Sequence, residues 1–283
     1  MSDHSLHRLA AFTENPEGGN RAGVWIGDAL PDPATMQAIA TEVGYSETAF
    51  LAPSRGQHRQ IRYYSPAAEV SFCGHATIAA GVVLGQQSGP GQYQLSSAAG
   101  EVGVDTRERN GVWQASLSSV TPQQRPVPAE LLETMLSLLG WQATDLDPAI
   151  PPMLAYAGAW HLVLVAAKAQ RLDTLDYPFD AVRQLMLQHE LTTLQLVHGR
   201  GNGVFDARNP FPVGGVVEDP ATGAAAAAFG GYLRDANLLT APAKLWIHQG
   251  HHMGRPSLLE VDIPASGGIT VSGAAVLLGE SAS

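Results

Sequence analysis

Glu218-Asp219-Pro220-Ala221-Thr222-Gly223, followed by the alanines Ala224 to Ala228, is the stretch that decides the fold of this chain. Pro220 restrains the backbone, Thr222 is suited to capping the first turn of a helix, and Gly223 lets another group come close. A run of alanines then favours a helix with almost no side-chain bulk, which other backbone can surround closely. The N-terminus of such a helix offers N–H groups and a partial positive charge. We therefore predict a narrow, buried helix whose start binds a small anion.

An earlier stretch, Phe72-Cys73-Gly74-His75-Ala76-Thr77-Ile78-Ala79-Ala80-Gly81, repeats this design. Here too an apolar segment meets a polar residue and a glycine, and a helix of small residues follows. Cys73 and Asp219 occupy the corresponding polar positions, separated by about half of the 283-residue chain. A device repeated at a half-chain interval predicts two like domains with a cleft between two helix starts.

The composition describes a compact globular protein with acidic character. Hydrophobic residues make up 45% and charged residues 15%, which is unlike a disordered chain. The net charge of −10 argues against a nucleic-acid-binding protein, which needs a basic face. The sequence shows no signal peptide and no transmembrane run, and its single cysteine fits a reducing compartment. We expect a cytoplasmic protein with neither nucleic-acid nor membrane partners.

The rest of the chain reads as short strands with few helices. Asp32-Pro33 predicts a helix start and Gly44 its end, and the alternating segments between Tyr93 and Leu117 predict an antiparallel meander. The proline-rich segment 121–128 is the best linker, and we place a domain boundary there. Antiparallel strand order with one narrow helix per half predicts α+β halves, each a curved sheet wrapped around its helix. A doubly wound Rossmann sheet is the alternative, but the early Gly-x-Gly-x-x-Gly turn is missing.

Ordered motifs along nearly the whole chain resemble one known family, the PhzF-like (phenazine biosynthesis) isomerases, which share the fold of diaminopimelate epimerase. The motifs are Phe12-Thr13 with Asn15-Pro16 and Gly19-Asn20, Ser46-Glu47-Thr48-Ala49-Phe50, Tyr64-Ser65-Pro66 with Glu69-Val70, Phe72-Cys73-Gly74-His75-Ala76-Thr77, Glu218-Asp219-Pro220-Ala221-Thr222-Gly223, and Gln249-Gly250 with Met253-Gly254-Arg255-Pro256-Ser257.

The resemblance implies two similar domains, each a β-barrel-like sheet around a central helix, with the active site between them. We expect residues 1–122 and 123–267 to form these domains, with a C-terminal strand in 268–283 returning to the first. Family members are typically cofactor-free homodimers, so the resemblance implies no cofactor, no metal and a homodimer acting on a small organic acid.

By the same resemblance, the acid/base glutamate matches Glu47, and the active-site histidine and aspartate match His75 and Asp219. We expect a further group of residues at the helix starts to bind substrate: Cys73, Gly74, Ala76, Thr222, Gly223 and Ala224. Where the phenazine enzyme has a serine after Asp-Pro-Ala-Thr-Gly, this chain has Ala224, so one hydroxyl contact is missing. The related epimerases use two cysteines, and a chain with one cysteine cannot be a dithiol racemase.

Each catalytic candidate also has a structural interpretation. Glu47 could be a strand-end carboxylate in water, His75 a packing residue, and Asp219 a helix cap. His248, His251 and His252 could suggest a metal, but no cysteine or carboxylate cluster accompanies them, and we predict no metal site.

The sequence thus predicts an isomerase that moves a proton by general acid–base catalysis, with Glu47 as the shuttle. Two alternatives stay open. One is a non-catalytic binding protein that uses the same cleft, and the other is a lyase in which proton abstraction is followed by loss of water.

Overall fold

The computed structural model of this chain describes residues 4–279 and divides into two compact units. The first unit contains Met1–Ser118 together with Ser272–Ser283, and the second contains Ser119–Val271. Each unit is built mainly from strands and holds one long helix made of small residues.

The strands, in chain order, are β1 His4–Ala11, β2 Asn20–Gly27, β3 Glu47–Pro53, β4 His58–Tyr64, β5 Glu69–Val70, β6 Gly91–Ser97, β7 Gly100–Arg109, β8 Val112–Ser118, β9 Gln123–Pro126, β10 Met153–Tyr156, β11 Trp160–Val165, β12 Leu191–Gly201, β13 Val204–Phe211, β14 Val216–Asp219, β15 Ala243–Gln249, β16 Ser257–Ile263 and β17 Thr270–Leu277. The helices are α1 Pro33–Val43, α2 Gly74–Ser88, α3 Ala129–Leu138, α4 Gln170–Asp173, α5 Phe179–Gln188 and α6 Gly223–Asp235. None of these helices, within residues 4–279, has the length and apolarity needed to cross a membrane.

The first unit is a closed barrel of eight strands in the order β1-β2-β3-β4-β6-β7-β8-β17. Closure depends on β17, which pairs antiparallel with β1 and also pairs with β8. The β2–β3 and β4–β6 pairs are parallel, whereas the short β5 adds antiparallel to β4. A closed barrel leaves no sheet edge unpaired.

Helix α2 is buried on all sides from His75 to Gly85 and packs against β1, β2, β3, β7 and β8. Small residues make this close approach possible. A Cβ atom added to Gly81 would lie 2.7 Å from Val104 Cγ1 and 2.8 Å from Ala115 Cβ, well inside van der Waals contact. The barrel is therefore packed around α2, and the first turn of this helix is fixed by the strands around it.

The second unit has a sheet of seven strands in the order β9-β10-β11-β12-β13-β15-β16, with β14 added to β13. The β11–β12 and β13–β15 pairs are parallel and the others are antiparallel. Helix α6 is buried from Ala225 to Leu233 and packs against β9, β10, β11, β12 and β16. A separate apolar cluster, which includes Leu131, Met135, Val182 and Met186, holds α3 and α5 to the sheet.

The local signals of the sequence are confirmed where short-range chemistry decides the structure. Asp32 accepts hydrogen bonds from the N–H groups of Ala34 and Thr35 at the start of α1, and Gly44 ends this helix in the left-handed conformation. The meander predicted between Tyr93 and Leu117 is β6-β7-β8, antiparallel throughout.

One expectation about the strands was wrong, because long-range pairing decides strand direction. We expected antiparallel strands throughout, but four strand pairs, two in each unit, are parallel. The proline-rich linker contains β9, whose residues pair with β10. Asn202 and Gly203, both at positive φ, form the tight turn of the hairpin between β12 and β13.

Candidate functional site

Three side chains that the sequence nominated meet in the first unit, at the point where β3 and α2 begin. Oε2 of Glu47 lies 3.3 Å from Nε2 of His75 and 3.4 Å from Sγ of Cys73. Sγ of Cys73 lies 3.4 Å from Nδ1 and 3.8 Å from Nε2 of the same imidazole. The Glu47 side chain is 21% exposed and that of His75 is 9% exposed, so the carboxylate is only partly hydrated. We call these three residues the Glu47 cluster.

A chain of buried hydroxyl groups supports the backbone of the Glu47 cluster at Cys73. Thr77 Oγ1 donates to the Cys73 carbonyl at 2.6 Å, which ties the N-cap residue to the first turn of α2. Since that hydroxyl is the donor, the Tyr63 hydroxyl must donate to Thr77 Oγ1, 2.7 Å away. Burial raises the pKa of Tyr63, so its phenol stays protonated and keeps this donor role. Tyr63 on β4 thus helps to position Cys73 through Thr77.

Two residues next to the Glu47 cluster, Ser46 and Gly74, are less buried than Cys73 and His75. Ser46 Oγ, on an exposed residue next to Glu47, lies 3.2 Å from His75 Nε2 and orients the ring. Gly74 is half-buried, and a Cβ atom added to it would meet no other atom within 4 Å. Ala76 is fully buried.

A second group of predicted residues meets in the second unit, at the start of α6. The Thr222 hydroxyl donates to Asp219 Oδ2 at 2.5 Å. Thr222 occupies the N-cap position of α6, but among the described residues its side chain makes no capping hydrogen bond. Gly223 and Ala224 form the half-buried first turn of this helix. We call these residues, together with Gln249, the Asp219 turn.

Gln249 holds the Asp219 turn by both ends of its amide. Its Nε2 donates to the Asp219 carbonyl at 2.7 Å and to Thr222 Oγ1 at 3.0 Å, while Oε1 accepts from the Thr222 N–H at 3.2 Å. The side chain is 1% exposed, so these bonds are shielded from water. Gly250 follows at φ 75°, where a Cβ atom would lie 2.7 Å from the Pro220 carbonyl oxygen. Only glycine fits this close approach to the turn.

The strand that leads into the Asp219 turn is anchored by a buried ion pair. Arg208 donates from Nη2 to Glu218 Oε2 at 2.6 Å and from Nη1 to the Leu172 carbonyl at 2.8 Å. Asn209 on β13 is paired directly with Asp219 on β14, so these two side chains share one face of the sheet. Charge pairing and strand register together fix the direction in which the Asp219 carboxylate points.

The sequence nominated Glu47, Cys73, His75, Asp219 and the start of α6, but it did not nominate the residues that support them. Ser46 and Gln249 were quoted only as parts of motifs, while Tyr63, Arg208 and Asn209 carried no signal. Their contacts join residues far apart in the chain, and a single sequence contains no measure of such proximity.

The Glu47 cluster combines a carboxylate, an imidazole and a thiol whose ligand atoms all lie within 4.8 Å of one another. Such a group can accept and return a proton, and it can also offer ligands to a cation. The Asp219 turn combines a carboxylate fixed by a hydroxyl group with the N–H groups of a helix start, which suits a polar, anionic small molecule.

Comparison with known proteins finds relatives that cover nearly the whole chain. A family model described as phenazine biosynthesis-like protein matches residues 9–281. The chain is 32% identical to the uncharacterized isomerase YddE of Escherichia coli K12, covering 96% of each sequence. It is also 30% identical to a trans-2,3-dihydro-3-hydroxyanthranilate isomerase of Pseudomonas fluorescens, covering 90% of this chain and 89% of the relative.

Among solved structures, the fold is similar to that of a protein from Pseudomonas aeruginosa described as a predicted epimerase. The TM-score is 0.84 at 25% identity, and 98% of each chain is covered.

Proposed function

This chain belongs to the phenazine biosynthesis-like protein family, and from that premise we propose that it is a cofactor-independent isomerase of a small organic acid, acting by general acid–base catalysis. Its curated relatives are named isomerases, including one that acts on a dihydro-hydroxyanthranilate. In this proposal Glu47 is the proton shuttle.

The contact of Glu47 with His75 carries this proposal. A general base must be partly sheltered from water, yet it must still reach the proton that it removes. Glu47 Oε2 lies 3.3 Å from His75 Nε2, and the side chain keeps 21% of its surface exposed. A carboxylate at the start of a strand, with no function, would be expected in open water instead.

The proposed reaction moves one proton and leaves the composition of the substrate unchanged. Glu47 takes a proton from a carbon that is activated by a neighbouring carboxylate or conjugated system, and it returns that proton to another carbon. His75 orients the carboxylate. The N–H groups at the start of α2 stabilise the negative charge that develops on the substrate.

We further propose that the protein is a homodimer. The family resemblance supports this proposal, and light scattering of the purified protein tests it.

The substitution Glu47→Gln tests the proposed shuttle, because the amide keeps the shape of the side chain and removes the base. With trans-2,3-dihydro-3-hydroxyanthranilate as the first probe and a panel of cyclic and amino acids beyond it, we expect turnover to fall about 10²- to 10⁴-fold. Glu130→Gln, on the exposed first turn of α3, is the matched control and should retain full turnover. Turnover by Glu47→Gln at the wild-type rate would remove Glu47 from the mechanism.

Reaction in deuterium oxide separates the proposed isomerase from the two alternatives. Because the Glu47 side chain is partly exposed, its carboxyl proton can exchange with solvent before it is returned, so an isomerase gives a product that contains solvent deuterium and otherwise has the mass of the substrate. A lyase gives a product lighter by one water molecule, and a binding protein gives a thermal shift without exchange. Either of the last two results would contradict the proposed reaction.

A further inference from the structure

The Glu47 cluster has the geometry of a transition-metal site as well as that of an acid–base site. Its three contact distances form a nearly regular triangle: Nε2 to Oε2 is 3.3 Å, Oε2 to Sγ is 3.4 Å, and Sγ to Nε2 is 3.8 Å. The triangle joins the start of β3 to the start of α2. Since Glu47 precedes Cys73 by 26 residues, the spacing of these residues in the sequence does not indicate a metal site.

These distances match the separation of ligand atoms around a tetrahedral zinc ion. Zn²⁺ binds thiolate sulfur at about 2.3 Å, imidazole nitrogen at about 2.0 Å and carboxylate oxygen at about 2.0–2.2 Å, which places the ligand atoms about 3.3–3.6 Å apart. Each edge of the observed triangle lies within a few tenths of an ångström of that range. The cluster can therefore receive the ion with small side-chain adjustments.

The type and number of ligands also favour Zn²⁺ over the hard cations. One thiolate and one imidazole suit Zn²⁺, whereas Mg²⁺ and Ca²⁺ prefer sites made of oxygen ligands. Three protein ligands leave the fourth tetrahedral position open for a water molecule or another ligand. The hydroxyl chain from Tyr63 through Thr77 holds the Cys73 backbone, so the site is already organised before the ion binds.

We propose that Glu47, Cys73 and His75 bind Zn²⁺ reversibly and that the bound ion inhibits the enzyme. Binding forms three metal–ligand bonds and releases the Cys73 thiol proton to solvent, and the ion remains Zn²⁺ throughout. The inhibition rests on the proposed function, because zinc ligation occupies the carboxylate oxygen and the imidazole that the proton shuttle requires. Metal binding itself does not depend on that function.

One hydrogen bond opposes the ion. His75 Nε2 lies 3.2 Å from Ser46 Oγ, and this contact must be given up when the nitrogen binds zinc. Removing the hydroxyl group should therefore strengthen zinc binding, by up to about 5-fold for a hydrogen bond of about 1 kcal/mol. Ser46→Ala is thus predicted to bind zinc more tightly than the wild type, and partial unfolding of the variant would not produce that result.

Titration of the apo-protein with Zn²⁺, followed by calorimetry, tests the binding. We expect one equivalent per chain in the wild type, and at least a 100-fold loss of affinity in both Cys73→Ser and Cys73→Ala. Thermal unfolding of each variant verifies that it is folded. His252→Gln is the control, since His252 contacts Asp173 at 3.0 Å in the second unit and offers the alternative surface histidine. Its zinc affinity should equal that of the wild type.

Co²⁺ gives a second readout that does not need activity. Wild-type protein with Co²⁺ should show the thiolate-to-cobalt charge-transfer absorption and the visible bands of a tetrahedral ion, and Cys73→Ser should lose the former. Equal zinc affinity in the wild type and the Cys73 variants, or no binding at all, would overturn the proposed site.

Kinetic measurements separate this proposal from the proposed function. If zinc binds through Cys73 but turnover by Glu47→Gln equals that of the wild type, then the proton shuttle is wrong and the metal site stands. If Glu47→Gln is inactive but added zinc leaves wild-type turnover unchanged, then the inhibition is wrong. We expect zinc to inhibit the wild type and a chelator to restore full activity.

Discussion

At the scale of single residues, His161 links the stability of the second unit to pH. This histidine on β11 is fully buried, and its Nδ1 lies 2.8 Å from Thr193 Oγ1. Its other nitrogen, Nε2, has no hydrogen-bond partner among the described residues, and the nearby polar side chains of Gln195 and Asn209 are uncharged. Burial lowers the pKa of His161 to about 3, so the imidazole stays neutral in the folded protein.

At acidic pH the unfolded chain therefore binds a proton at His161 that the folded chain does not bind. A histidine in the unfolded chain has a pKa of about 6.5, so the free energy of unfolding falls as the pH drops below that value. The loss continues until the pH reaches the folded pKa of about 3. Between pH 7.5 and pH 5, we expect His161 to account for a loss of about 2 kcal/mol in the free energy of unfolding. Urea denaturation at both pH values measures the change. His161→Phe cannot titrate, and it should lose less stability over the same interval; an equal pH dependence would contradict this role.

The sequence nominated candidate site residues but not the residues that hold them. Glu47, Cys73 and His75 could be nominated because each carries recognisable chemistry and stands in a recognisable motif. Gln249 is the contrary case: an amide 30 residues after Asp219 fixes the carbonyl of that residue, and only the paired strands reveal it. Proximity of this kind comes from the fold as a whole, so local sequence cannot supply it.

At the scale of elements, the narrowness of α2 is what allows the barrel to close around it. The stability of the first unit should therefore be sensitive to one extra methyl group on the buried face of this helix. For Gly81→Ala, the new Cβ would lie 2.7 Å from Val104 Cγ1 and 2.8 Å from Ala115 Cβ. Overpacking of this kind costs about 1–3 kcal/mol, while alanine regains up to about 1 kcal/mol of helix propensity. We expect a net loss of about 1–2 kcal/mol in urea denaturation.

The same substitution elsewhere on α2 provides the control for that effect. Gly74 lies in the first turn, where an added Cβ would meet no other atom within 4 Å. Gly74→Ala should leave the free energy of unfolding unchanged or slightly raised. A loss in Gly74→Ala equal to that in Gly81→Ala would show that backbone entropy, rather than close packing, explains the glycines of α2.

Helices were easier to predict than strand partners, and the reason is physical. The start and end of α1 depend on Asp32, Pro33 and Gly44, all of which act within a few residues. Whether β2 pairs parallel or antiparallel with β3 depends instead on how α1, the helix that connects them, is placed. For the same reason β9 was taken for a linker, because its prolines suggested a break while its pairing with β10 lies outside local sequence.

At the scale of the whole molecule, the first unit is completed by the last strand of the chain. β17 joins β8 to β1, with Ala10 paired to Val276 and Ala11 paired to Ala275. The Phe12 N–H donates to the Ala274 carbonyl at 2.7 Å, and Ser272 Oγ donates to Ser116 Oγ at 2.8 Å. That the two units are separately folding domains stays a prediction, and this strand offers a way to test it.

A chain that ends at Val271 should lose the closed barrel and keep the second unit. Without β17, both β1 and β8 become edges and the buried face of α2 is exposed to water, so the amide groups of the first unit should exchange with solvent at least about 100-fold faster. The amide groups of β11, β12 and α6 should keep their protection, since their partners lie within Ser119–Val271. Hydrogen exchange followed by mass spectrometry resolves the two sets of peptides, and a chain lacking only 280–283 is the control. Loss of protection in both sets would instead show that the two units unfold as one cooperative unit.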